Sequence, residues 1–260
     1  MRIWYQSYSA IGFDSRWENY KKDLKDCVQK VARPDTIVDV HGIEKVAPKM
    51  VDSDYIQFMH ISQVVENALK AEREGYDGFC LAGALDLGAV YIKEVLDIPV
   101  AAIAESSFYC ACLLARKFGI ITVSEVMLRR QMELVKFHGL EQRCVPGVHI
   151  DFSDPVDLVG LFGKNPQRVI DMFTEAAQKV IAEGAGALVP GFGALSSFLD
   201  RQGIHNIDGV PIVDIVAVVI KTTEMLVDLD RIGVKRSRKG FYIYPSQEEL
   251  IAARKIYGIE

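Results

Sequence analysis

Glu74-Gly75-Tyr76-Asp77-Gly78-Phe79-Cys80-Leu81-Ala82-Gly83-Ala84-Leu85 lies over Glu183-Gly184-Ala185-Gly186-Ala187-Leu188-Val189-Pro190-Gly191-Phe192-Gly193-Ala194, 109 residues further along the chain. Each copy reads as the end of a helix, a glycine stop, a short buried strand, and a small-residue turn into the next helix. Each is followed by a segment that ends in another strand, Asp97-Ile98-Pro99-Val100 and Gly209-Val210-Pro211-Ile212, now 112 residues apart. Two copies are too few for a solenoid, which generally requires three or more. They fit two α/β lobes related by approximate two-fold symmetry.

Outward from this repeat, short apolar runs alternate with helical patterns. Ile3-Trp4-Tyr5 and residues 36–40, 78–82, 100–104, 119–123, 187–189 and 211–213 read as buried strands. Between them, 17–31, 61–73, 87–95, 108–117, 125–137, 166–182 and 216–229 read as helices. Strands separated by helices of this length signal βαβ units and parallel sheets. Asn165-Pro166 and Ser124-Glu125 are helix starts, with the cap residue first. The expected fold class is α/β, with two pseudo-two-fold-related lobes, each a parallel sheet flanked by helices, and an active-site cleft between them. Residues 1–100 with 210–233 form the first lobe, 101–209 the second, and 234–260 a C-terminal extension.

The 260 residues are half hydrophobic and one quarter charged, enough to bury a sizeable core. A net charge of −5 argues against a general nucleic-acid binder, whose affinity rests on Lys and Arg neutralising phosphates. The one basic cluster, Lys235-Arg236-Ser237-Arg238-Lys239, reads as a solvated linker. Five cysteines make an odd count, and their spacing builds neither a disulfide framework nor a zinc site. No leader pattern opens the chain and no apolar run approaches the roughly 18 residues of a membrane span, so a soluble cytoplasmic protein is expected. Neither H-x-x-x-H nor C-x-x-C occurs, and no G-x-G-x-x-G follows the first strand; no metal or organic cofactor is implied.

In parallel sheets a ligand sits beyond the carboxyl ends of the strands. Here those ends carry the turns 83–88 and 191–197, and facing copies present both to one interlobe cleft. Glycine there lets the backbone approach a ligand closely.

Three strings stand out: Met1-Arg2-Ile3-Trp4-Tyr5-Gln6-Ser7, Ile98-Pro99-Val100 through Ile103-Ala104-Glu105-Ser106-Ser107, and Phe118-Gly119-Ile120-Ile121-Thr122. In this order and spacing they resemble the aspartate/glutamate/hydantoin racemase superfamily, most closely its hydantoin racemase branch. The resemblance extends to about Leu229. It implies one cysteine on each repeated turn, one thiolate removing an α-proton and the opposite thiol returning it on the other face. Both positions are replaced here. Gly83 stands where the first cysteine opens C-x-x-D-P-G, with Asp86 and Gly88 kept, and Phe192 stands where the second lies in L-G-C-A-G. The internal repeat independently pairs Gly83 with Phe192.

Neither replacement carries a proton, and Cys80 points away from position 83, while Cys110 and Cys112 read as core. Two-thiol racemisation is therefore not expected. What remains is an anion-binding cleft: the backbone at Gly83, Ala84, Gly191 and Gly193, with Ser7, Ser106, Thr122 and Ser124, can hold a carboxylate or an enolate-like oxyanion. Phe192 makes one wall apolar. Asp86, Glu105 and His60 are the candidate acid–base residues. Asp86 has the alternative role of capping the helix that follows it, and Glu105 that of a helix-start carboxylate facing the dipole. His60 is placed at the start of the helix 61–73, and His41, at the end of its strand, is weighed with it. The first reading is an isomerase or lyase acting on a small carboxylate or cyclic amide through an enolate-like intermediate. The alternatives are a hydrolase of a cyclic amide using the same oxyanion site, and a non-catalytic small-molecule binding protein.

The tail carries an aromatic strip, Phe241-Tyr242-Ile243-Tyr244, then a capping box from Ser246 to Glu249 that opens a helix through Tyr257. A lone helix of a dozen residues requires a docking surface. It either closes over its own lobe or reaches a neighbouring subunit. The second is favoured, because aromatic residues suit an interface and relatives are commonly oligomeric.

Overall fold

The computed structural model describes residues 1–47, 53–151, 164–240, 242 and 244–259. Strands β1 (Arg2–Ser7), β2 (Ile37–His41), β3 (Gly78–Ala82) and β4 (Val100–Ala102) form a parallel sheet in the order β2-β1-β3-β4. A second parallel sheet runs β6-β5-β7, from β5 (Phe118–Thr122), β6 (Val148–His149) and β7 (Ala187–Pro190). The repeat extends to register. Phe79 pairs with Val100 in the first sheet, and its counterpart Leu188 bridges Ile212 in the second. Residues 210–213, grouped above with the first lobe, therefore extend the second sheet. The first two of them form β9 (Val210–Pro211), which makes an antiparallel hairpin with β8 (Asn206–Ile207). Asp208 and Gly209 both have positive φ there, the two-residue turn that Asp-Gly favours.

Both helix stops of the repeat are real. Helix α2 (Asp54–Arg73) ends at Gly75 with φ +75°, and α6 (Pro166–Ala182) ends at Gly184 with φ +92°. Only glycine enters that left-handed region without a Cβ penalty. Helices α1 (Glu18–Val31), α3 (Ala89–Val95), α4 (Ile103–Leu114), α5 (Glu125–Phe137), α7 (Gly193–Arg201) and α8 (Ile215–Arg231) complete the layers. The sequence boundaries shift most at α4 and α2. The strand expected over 100–104 stops at Ala102, because α4 begins at Ile103. Helix α2 starts seven residues before Ile61, its first turn capped by Ser53, whose hydroxyl accepts the N–H of Ile56.

The lobes share helices. α4 leaves the first sheet and packs on β7 of the second, while α8 leaves the second and packs on β3 and β4 of the first. One continuous apolar core consequently runs from Ile3, Tyr5 and Ala82 to Phe118, Ile120 and Leu188. A smaller core, with Trp4, Phe79 and Leu81, lies on the other face of the first sheet.

The basic cluster is not a solvated linker. Arg236 and Arg238 donate to the carbonyl of Leu96 at the end of α3, and Arg238 also pairs with Asp97. Guanidinium groups at a helix C-terminus satisfy its leftover carbonyls and its negative dipole end. The tail helix α9 (Gln247–Ile256) carries the expected capping box. It docks on its own lobe. Arg254 grips Glu66 of α2 with two bonds of 2.6 and 2.9 Å, and Leu250 packs on the smaller core. Phe241 and Ile243 of the aromatic strip lie outside the described residues. No helix among the described residues is long and apolar enough to cross a membrane.

Candidate active site

The first turn is a tight reversal. Asp86 donates its N–H to the Gly83 carbonyl at 2.8 Å and sits at φ +48°. That conformation aims its carboxylate not at the helix after the turn but across the sheet end, at the start of α4. One oxygen accepts the N–H of Ala104 at 2.9 Å and the other that of Glu105 at 2.8 Å. Asp86 is buried, and desolvation raises its pKa to about 7 against the pull of these two amides. The capping role read from the sequence exists, but on a different helix.

Gly83 has no room for a side chain, because the ring of Tyr8 lies over it. A Cβ at position 83 would run into Tyr8 Cδ2 and come within 2.7 Å of Cε2. Tyr8 is buried and donates its hydroxyl to the Leu87 carbonyl, which pins the ring across the turn. The first position that the resemblance assigns to a thiol is thus filled by a phenol ring from β1's end. Cys80 is fully buried against Thr223, its thiol pushed up to about 12 by desolvation. Cys110 and Cys112 are half-buried, Cys112 packed against the main core.

At the second turn, Gly191 gives its own N–H to the Ile121 carbonyl, continuing the sheet ladder. It therefore offers no amide to an anion. Its carbonyl is what faces inward, accepting from Thr122 Oγ1 at 3.2 Å and from Gln131 Nε2 at 2.8 Å. Phe192 immediately precedes α7, half-buried against the shared core and with no side-chain bond to the helix. Gly193 lies under the Tyr20 hydroxyl, which would be 2.7 Å from any Cβ there.

The two turns meet through one side chain that the sequence reading missed. Gln131 of α5 also donates Nε2 to the carbonyl of Ala84, at 3.1 Å, and so bridges the first turn to the second. It is 2 % exposed. A signal was present: Met127, Gln131 and Val135 form the buried stripe of α5, and an amide on an apolar stripe is out of place without partners. Next to it, Arg130 pairs with Asp54 of the first lobe at 2.7 Å.

The remaining expected site residues scatter. Ser7 accepts the N–H of Ser9, and Ser124 caps α5 by accepting the N–H of Met127. Glu105 pairs with Lys93, and with Ser106 it lines a cavity of about 1030 Å³ between α4 and α8, not the space between the turns. His60 is not at a helix start. It sits in the second turn of α2, its Nδ1 bonding the Ile56 carbonyl at 2.7 Å and its Nε2 accepting the Ala47 N–H at 3.0 Å. Both ring nitrogens are committed to backbone. His41 stacks on Trp4, with ring centroids 3.5 Å apart. A second cavity, of about 1140 Å³, abuts Leu85 and Leu87 of the first turn. Among the described residues no three His, Cys, Asp or Glu side chains come together as a metal site.

Two pseudo-symmetric parallel sheets whose facing turns meet at one buried point define a two-lobe fold with a candidate site between the lobes. The sequence profile of the Asp/Glu/Hydantoin racemase family matches residues 18–223, and the chain belongs to that family. It is 31 % identical over 238 residues to a hydantoin racemase of Pseudomonas sp. (strain NS671), an alignment covering 91 % of each chain. Two solved structures share its fold. Allantoin racemase from Pseudomonas fluorescens superposes with a TM-score of 0.79 at 21 % identity, covering 95 % of this chain and 97 % of that one. Allantoin racemase from Klebsiella pneumoniae gives 0.78 at 22 %, covering 95 % and 94 %.

Proposed function

We propose that this family member acts on a cyclic amide or small carboxylate between the two turns, as an isomerase or lyase that does not use two thiols. Asp86 is the acid–base residue: its carboxylate takes a proton from the carbon beside a carbonyl, leaving an enolate beside the first turn, while the Ala104 and Glu105 amides hold the carboxylate in place. The observation that carries this reading is a buried carboxyl on the first turn with its pKa raised to about 7, near the pH at which a general base works best. Each of its oxygens accepts one amide N–H and keeps a further lone pair. The hydantoin racemase relative supplies the substrate class.

The test is incubation of the purified protein with hydantoin, allantoin and amino-carboxylate panels in D₂O, followed by NMR. Deuterium at the α-carbon, lost in Asp86→Asn, is the expected result. Exchange that survives Asp86→Asn overturns the role of Asp86. A ring-opened product would instead identify a hydrolase. One observation favours binding without turnover: Tyr8 fills the space over Gly83 and Gln131 ties the turns together. Measurable ligand binding with neither exchange nor product would establish that reading.

A further inference from the structure

We infer that Gln131 is a specificity-determining residue that selects ligands bearing an amide N–H over plain carboxylates. The inference deepens the proposed function and rests on its interlobe site. Both partners of Nε2, the carbonyls of Ala84 and Gly191, can only accept, so the nitrogen must face them. The carboxamide is thereby fixed in orientation by one backbone group from each lobe. Its oxygen is left as a pure acceptor, and Oε1 is buried with no hydrogen-bond partner among the described residues.

Position supports the same assignment. A Cβ at residue 191 would collide with Gln131 Oε1 and lie 2.7 Å from Thr122 Oγ1, so the bare backbone at Gly191 is what lets this oxygen stand at the second turn. The next residue is Phe192, the position opposite Gly83 in the repeat. A buried acceptor in need of a donor favours an N–H at that point and repels the lone pairs of a carboxylate. The ring N–H of a cyclic amide is such a donor. Gln131 is a positioning and selecting group; it moves no proton.

The experiment is calorimetric binding of 5-benzylhydantoin, of its two N-methyl derivatives, and of 3-phenylpropanoate to the full-length protein and to Gln131→Met. Methionine keeps the length of the side chain without its polar atoms, and circular dichroism checks that the variant is folded. In the wild-type protein, methylation of one ring nitrogen should weaken binding about tenfold or more. In Gln131→Met the parent compound should fall to the affinity of that methylated one, whose own affinity stays unchanged. A variant that weakens all ligands equally would show a purely structural Gln131 and overturn the inference. So would wild-type binding that is indifferent to both N-methylations, which would leave the interlobe site itself standing. If the wild-type protein binds no hydantoin at all, the inference and the site reading fall together.

Discussion

Asp86 and Gly83 make the site's residue-scale case, since each is held by a neighbour that local sequence does not reveal. Asp86 has a folded-state pKa of about 7, above the roughly 3.9 of an exposed aspartate. The folded protein therefore holds this proton more tightly than the unfolded chain does. Its contribution to stability is full below about pH 4 and is lost as the pH rises through 7; at about 1.4 kcal/mol per unit it is at most about 4 kcal/mol. Urea melts of wild type and Asp86→Asn across pH 4–8 should show this fall in the wild type and a flatter profile in the variant. Activity carried by the carboxylate should rise with pH through the same region. At position 83, Gly83→Ala should cost about 1–3 kcal/mol by overpacking against Tyr8. Adding Tyr8→Ala should recover part of that loss, so the two changes should couple by about 1 kcal/mol or more in a double-mutant cycle. Strict additivity would mean the ring does not constrain the glycine.

At the scale of elements, Ser124 and the C-terminal extension separate structural polar groups from ligand-binding ones. Ser124→Ala should destabilise the protein by about 1 kcal/mol through loss of the α5 cap, and leave ligand affinity unchanged. Denaturation and calorimetry on one preparation check both halves. The extension from Lys235 onward is tied by Arg236, Arg238 and Arg254 to α3 and α2, and the outward side chains of Ile251, Ile256 and Tyr257 remain exposed. We expect that exposed row to contact a second copy of the chain. Truncation after Gly233 should then lower the mass measured by sedimentation equilibrium. A truncated protein of unchanged assembly state confines the extension to its own lobe.

The whole molecule behaves as two sheets with one main core, because α4 and α8 each leave one sheet and pack on the other. The lobes should accordingly unfold together. Thermal melts followed by tryptophan fluorescence, with Trp4 on the first sheet and Trp17 in the main core, should coincide with far-ultraviolet circular dichroism. Two resolved transitions would indicate lobes that fold independently.

What the sequence determined by itself was the repeat: short apolar runs and helical patterns, the glycine stops at 75 and 184, the caps at Ser124, Asn165 and Ser246, and the pairing of Gly83 with Phe192. These are local signals, written in backbone preferences and in the spacing of apolar residues, so they survive being read one segment at a time. Tertiary structure alone decided which polar groups are free. Ser7 and Ser124 look available in sequence, yet backbone amides already use them, and His60 has both nitrogens spent. Asp86 looked like a cap for its own helix and caps another, seventeen residues on. Gln131 was invisible as a site residue because its partners, Ala84 and Gly191, lie 47 and 60 residues away. A side chain's hydrogen-bonding capacity is fixed by its chemistry, but what consumes that capacity is whatever the packed chain brings within 3 Å.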